Sequence, residues 1–203
     1  MSAIIAICGN NFCSFVADSR SIIYNKDDGT KSVNENFQTI VKLNSKVLFG
    51  ASGTFEASEH ALSPLDIYPD RNEITPEMAR TACENYLKTI ILSETSGARS
   101  YLVGGKDENG CFCMYELSRE AGREEATIIK RVPSGEQDEI LVSCILPAQA
   151  SQRNDEIRSK AAQSVADSTY HREMLKKIAL IISDLARTDE SVGNHIITAS
   201  VTK

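Results

Sequence analysis

The sequence contains no tryptophan, and aromatic residues make up only 6% of it. A core built from this chain must therefore rest on aliphatic side chains. No apolar run approaches the ~20 residues of a membrane span, and the start lacks the basic stretch of a secretory leader, so a cytoplasmic location is expected. Basic residues are not in excess. The 22 Lys and Arg stand against 28 Asp and Glu, a net charge of −6, which argues against a surface for nucleic acid or anionic membrane. No CxxC pair occurs among the six cysteines at positions 8, 13, 83, 111, 113 and 144, and His60, His171 and His195 lie far from them in sequence. That spacing gives no metal-ligand cluster, and neither metal nor cofactor is expected. Most of the cysteines sit in apolar, β-like segments, where a reduced thiol acts as a small hydrophobe.

What is present is an ordinary globular composition, 41% apolar and 25% charged over 203 residues, without repeat, low-complexity segment or linker. One domain, residues 1–203, is expected. Ala3–Cys8 and Phe12–Asp18 are apolar runs joined by Gly9-Asn10-Asn11, the pattern of a hairpin. Both runs are apolar on both faces, so their sheet should be covered on both sides. Asn25–Asn36 reads as a polar loop. Gln38–Leu43 and Val47–Phe49 read as a second hairpin, with Gly50–Thr54 leading into a helix at Phe55–Leu62. Thr75-Pro76-Glu77 is a helix start, with Ala79, Ala82, Tyr86 and Ile90 on one face of a helix ending near Ser93. Strands follow at Tyr101–Gly105, Cys111–Leu117, Ala126–Arg131 and Glu139–Ile145. Then come helices at Ser151–Ser164 and Tyr170–Arg187, the latter with Met174, Ile178, Ile181 and Leu185 on one face, and a last strand at His195–Thr202. The order is not the strict alternation of a doubly wound fold. It fits an α+β protein, a four-layer αββα sandwich.

Chemistry concentrates at the N-terminus. Removal of Met1 would leave Ser2 with a hydroxyl beside its own free α-amine. Such an amine has a reference pKa of about 7.7–8.0, so part of it is neutral at cellular pH and can take the hydroxyl proton. Asp18 could orient that pair as an acid orients the base of a triad. By itself Asp18 equally fits a cap on the turn after its strand, Gly50 and Gly53 fit packing glycines, and Arg20 fits a surface ion pair. His60 reads as solvent-facing and His195 as structural.

Taken in order, several segments are familiar. Ser2-Ala3-Ile4-Ile5-Ala6-Ile7, Ala17-Asp18-Ser19-Arg20, Phe49-Gly50-Ala51-Ser52-Gly53-Thr54, Leu102-Val103-Gly104-Gly105-Lys106-Asp107 and Asp189-Glu190-Ser191-Val192-Gly193-Asn194 together resemble the proteasome β-subunit and HslV family of N-terminal-nucleophile (Ntn) hydrolases. The resemblance spans essentially the whole chain. It implies Ser2 as nucleophile through Oγ with its α-amine as base, the Gly50 N–H as oxyanion donor, Asp18 holding the amine by charge-assisted hydrogen bonds, and Asp189 as a remote orienting acid. It further implies that Arg20, Ser21 and Ile22 on one side, and Gly50, Ala51 and Ser52 on the other, bracket an extended peptide by strand addition. The partners implied are peptide or unfolded protein, a homo-oligomeric ring and an ATP-dependent unfoldase.

Two positions depart from the pattern. Thr39 stands where many active members carry a lysine near the nucleophile, and Val192 where the family often has a serine. Lys42, three residues on, should face the other side of its strand, whereas Lys31 could fold inward from the preceding loop. A Ser2 peptidase, a proteasome-like structural subunit without catalysis, and an Ntn amidase for a small molecule are the readings open at this point.

Overall fold

β1 (Ile4–Gly9) and β2 (Phe12–Asp18) form the hairpin at the centre of a four-stranded antiparallel sheet, and the computed structural model describes residues 2–24, 30–52, 55–90, 98–120, 122–123, 125–136 and 139–203. Side chains alternate along β1. Ala3, Ile5 and Ile7 face helices, while Ile4, Ala6 and Cys8 face a second sheet. The period of two with apolar residues at every position is what a strand covered on both faces requires. Each fully buried isoleucine contributes roughly 1.5–3 kcal/mol through removal from water.

The remaining strands are β3 (Ser21–Tyr24), β4 (Lys31–Asn34), β5 (Ile40–Lys42), β6 (Val47–Ser52), β7 (Arg99–Lys106), β8 (Phe112–Arg119), β9 (Thr127–Arg131), β10 (Ile140–Ile145) and β11 (Ile196–Thr202). The first sheet has the order β10-β1-β2-β11 and the second β5-β6-β7-β8-β9, with β3 and β4 paired apart from both. Ile4, Ala6, Cys13 and Phe15 meet Ile40, Leu48, Leu102 and Met114 between the sheets. Helices α1 (Phe55–Leu62) and α2 (Pro76–Thr89) cover the outer face of the second sheet, with Ala61, Ala79, Cys83 and Leu87 against Val47, Phe49, Tyr101 and Leu117. After the short α3 (Ala148–Ser151), α4 (Asn154–Ala166) and α5 (His171–Ala186) cover the first sheet through Ile157, Ala161, Val165, Met174, Ile178 and Ile182. These are the four layers of an αββα sandwich. Among the described residues no helix is long and apolar enough to cross a membrane.

The sequence reading needs three corrections. Asn25–Asn36 is not loop throughout: Lys31–Asn34 is a strand, paired Ser21↔Asn34 and Tyr24↔Lys31, while 25–29 lie outside the described residues. The second hairpin's outgoing strand does not stop at Phe49; it runs through Gly50, Ala51 and Ser52, paired with Leu102, Tyr101 and Ser100. In α5 the expected Ile181 packs half-buried against the core, and the buried Ile182, not read from the sequence, belongs to the same face. The helix read as ending near Ser93 is described to Thr89, and 91–97 lie outside the described residues, as do Met1, Gly53 and Thr54.

Candidate active site

Ser2 lies at the entry to β1 and is 5% exposed. Its Oγ donates to the carbonyl of Arg20 at 3.0 Å. Asp18, at the end of β2, is fully buried and has both carboxylate oxygens engaged. Oδ1 accepts the N–H of Ala3 at 2.6 Å, and Oδ2 accepts those of Arg20 at 3.0 Å and Gly193 at 2.8 Å. Three stretches of chain are thereby tied to one side chain: the first strand, the turn after β2 and the loop before β11. Burial pushes the Asp18 carboxyl above its ordinary value, against the pull of the three N–H groups.

Thr39 reaches the same point. Its Oγ1 donates to the Asp18 carbonyl at 2.6 Å and lies 3.4 Å from Ser2 Oγ. Backbone bonds deliver it there: Phe37 N–H to Ser19 O at 2.7 Å, and Ala51 N–H to Thr39 O at 3.1 Å. The position expected of a lysine is thus in contact with Ser2, and a neutral hydroxyl occupies it. Neither lysine considered for that place comes to it. Lys31 pairs with Glu190 at 3.3 Å, and Lys42 donates to Ser200 O at 3.0 Å. Arg20 offers Ser2 only its carbonyl, because its guanidinium pairs with Glu35 at 2.8 Å and donates to Glu190 O at 2.7 Å.

The other expected site residues are placed differently. Gly50 sits in β6 opposite Ile40, its Cα against Ile4, Ile40 and Phe15 between the sheets. Because Ala51 points its N–H at Thr39 in β5, strand alternation turns the Gly50 N–H the other way, toward β7. No hydrogen bond joins Gly50 to the Ser2 cluster. Asp189 is 5% exposed in the loop after α5, where its Oδ1 accepts Ser191 N–H at 2.9 Å and Ser191 Oγ at 2.6 Å. Its Oδ2 is buried without a partner among the described residues. Ser21 and Ile22 are half-buried on β3, and Ala51 and Ser52 are buried on β6, with Ser52 Oγ unpartnered among the described residues. Val192 is fully buried against the α4–α5 side, and its N–H donates to Asp189 O at 3.0 Å.

Gly193 is the member of the cluster that its residue type did not announce. A Cβ there would stand 2.7 Å from Arg20 Cβ, so only glycine lets this loop come close enough to donate to Asp18. Of the histidines, His60 is exposed and tilted against Tyr86, His195 is exposed with its carbonyl accepting Ser19 N–H, and His171 meets Ser14 Oγ at 2.8 Å.

Two sheets packed face to face between two helix layers, with Ser2 at the entry to β1 and Asp18 at the end of its hairpin partner β2, make up the proteasome-like Ntn-hydrolase fold. Two solved structures share it with this chain. Eukaryotic HslV from Trypanosoma brucei is 11% identical, with a TM-score of 0.58 over 99% of both chains. Anbu, described as an ancestral beta-subunit, from Yersinia bercovieri is 11% identical, with a TM-score of 0.65 over 98% of this chain and 81% of its own. No family model matches the sequence, and no curated protein does.

Proposed function

We propose that this protein is a peptidase of the Ntn type, acting through Ser2 once Met1 is removed, on peptide or unfolded protein within a homo-oligomeric ring. The observation that supports it most is the Asp18 clamp. A buried carboxylate holds the first strand by the Ala3 N–H at 2.6 Å, while the backbone carbonyl of the same Asp18 accepts from the Thr39 hydroxyl, which lies 3.4 Å from Ser2 Oγ. In this scheme the Ser2 α-amine takes the hydroxyl proton as Oγ attacks the peptide carbonyl, and returns it to the leaving amine. Asp18 orients the strand that carries the amine, and Asp189, with its unpartnered Oδ2, is the remote acid. Because Gly50 turns its N–H toward β7, its role as oxyanion donor requires a local rearrangement of β6. The likeness in fold to HslV supports the ring; the ATP-driven unfoldase rests on the sequence resemblance alone.

One observation favours a second reading, a structural subunit without turnover. Among the described residues no ammonium or guanidinium contacts Ser2, and the charge nearest its network is the Asp18 carboxylate. A carboxylate holds a neighbouring amine protonated, so hydrolysis by Ser2 is expected to rise with pH through the amine range of about 8.

Intact mass measurement on protein from its native host, before and after treatment with an electrophilic proteasome inhibitor, separates these readings. A free Ser2 carrying one inhibitor, lost in Ser2→Ala, is the expected result. Retained Met1 removes the Ser2 mechanism altogether. A free Ser2 that never forms an adduct leaves the structural subunit. Native mass spectrometry of the same sample reports the ring, and a stable monomer counts against compartmentalised proteolysis.

A further inference from the structure

Each sheet ends in an open strand, β11 in the first and β5 in the second, and the two border one cavity. Hydrogen-bond alternation identifies their free groups. Ser19 N–H donates to His195 O and Lys203 N–H to Asn11 O, both at 3.0 Å. Every second residue counted from His195 therefore faces β2, and Ile196, Thr198 and Ser200 turn both N–H and C=O outward. On β5 the Leu43 N–H goes to Val47 O at 2.9 Å, so Ile40 and Lys42 are the outward residues. Among the described residues no backbone hydrogen bond reaches these outward groups.

The seam between the two edges holds an open cavity of about 630 Å³. Its apolar lining comes from Phe37, Ile40, Ile197 and Ala199, and its polar lining includes Gln38 and Thr198. Among the described residues that line it there is no carboxylate, and Lys42 is the one lysine or arginine. Lys42 Nζ crosses the seam to Ser200 O at 3.0 Å. An ammonium has three donors, so two remain for a ligand.

We propose that this seam docks an acidic, extended peptide segment, which adds as a strand along the open edge of β11 and sets a carboxylate against Lys42. A row of alternating donors and acceptors is complementary to an extended backbone and to little else. Ile196 to Ser200 spans about 13 Å, room for about five residues of such a strand. Side chains alternating inward from that strand meet the apolar lining. Lys42, which pairs with no acid among the described residues, selects the anionic segment. The competing role for a lysine at such a position is to repel a strand from an open edge, and reversing its charge distinguishes the two. This docking goes beyond the reaction assigned to Ser2 and does not depend on it.

The test uses the full-length Ser2→Ala protein, so that no turnover intervenes, and fluorescence anisotropy with two labelled peptides of alternating valine and threonine, one bearing two glutamates and the other two lysines. The acidic peptide is expected to bind about tenfold more tightly than the basic one, and Lys42→Glu is expected to reverse that order. Thr198→Pro removes one outward N–H without touching the ladder to β2 and should weaken the acidic peptide about fivefold, with the thermal transition retained. Should Thr198→Pro fail to fold, the same acidic peptide N-methylated at alternate residues should bind correspondingly less. Equal binding of the two peptides, no binding, or binding indifferent to Lys42→Glu overturns the proposal. So does self-association in sedimentation that Thr198→Pro abolishes, because the occupant is then a second copy of the chain.

Discussion

At the scale of single residues, Asp18 has both carboxylate oxygens engaged by backbone donors. Its three backbone donors come from positions 3, 20 and 193, so it fixes where Ser2 stands as much as what Ser2 can do. The cost of disturbing it is readable at Gly193. Gly193→Ala places a methyl group 2.7 Å from Arg20 Cβ and 3.3 Å from Asp18 Oδ2, and overpacking of this kind costs about 1–3 kcal/mol. Chemical denaturation should show that loss, and the Ser2 adduct should form more slowly in the variant than in wild type. A variant as stable and as reactive as wild type would mean that the loop does not hold the carboxylate. Thr39 bears on the same point from the other side. One hydroxyl proton cannot serve both neighbours, and at 2.6 Å the Asp18 carbonyl is a closer acceptor than Ser2 Oγ at 3.4 Å.

Among the elements, α5 is fastened to β2 by a polar contact inside an apolar interface. His171 Nε2 meets Ser14 Oγ at 2.8 Å, Ser14 Oγ meets Ser200 Oγ at 2.8 Å, and the ring lies edge-on to Phe12. Burial pushes the His171 pKa down. The unfolded chain, with an imidazole near 6.5, then takes up the proton first as pH falls. The contribution of His171 is intact above the unfolded value and is lost as pH drops through it. Thermal melts between about pH 7 and pH 5 should therefore show a steeper fall for wild type than for His171→Gln; parallel slopes would rule out His171 as a source of acid sensitivity.

The elements also show what a sequence discloses. The β1–β2 hairpin, α2 with its Thr75 cap accepting from Met78 N–H at 3.2 Å, and the apolar stripe of α5 were all legible, because periodicity and cap chemistry are local. β4 was not. Lys31-Ser32-Val33-Asn34 is exposed at every position, so no apolar alternation marks it, and only pairing with β3 makes it a strand. Gly50-Ala51-Ser52 reads from residue type as the lead-in to a helix, yet it is sheet, paired with β7, and at Gly50 only a small residue fits beside Ile4, Ile40 and Phe15. In the site, Ser2, Asp18 and Thr39 were visible through motif spacing. The role of Gly193 was not, since a glycine's close approach depends on what lies opposite. Nor does spacing reveal that the Gly50 N–H turns toward β7, which is set by register.

For the whole molecule, three apolar clusters, one between the sheets and one under each helix pair, account for most of the buried side chains. The cysteines report on all three. Cys83, Cys113 and Cys144 are pushed up to about 12 by burial, and Cys13 is raised by its contact with Cys8 and by burial. Cys111 alone is exposed. Iodoacetamide at about pH 8 should add one group to the native protein, at Cys111, and six in denaturant, because the thiolate is the reactive form. Modification of Cys8 or Cys13 in the native protein would show that the space between the sheets opens. The order of assembly is a further consequence of β1. β1 leaves the ribosome before the other described strands, and it pairs Ile4 with Ile145 and Gly9 with Ile140 on one side, and Ile4 with Ala17 on the other. Its place between β10 and β2 cannot be completed until some 140 later residues have been made. Contacts of such separation slow folding, so for most of synthesis a strand that ends up buried at every position has one edge unpaired, and this is when the nascent chain is most exposed to aggregation.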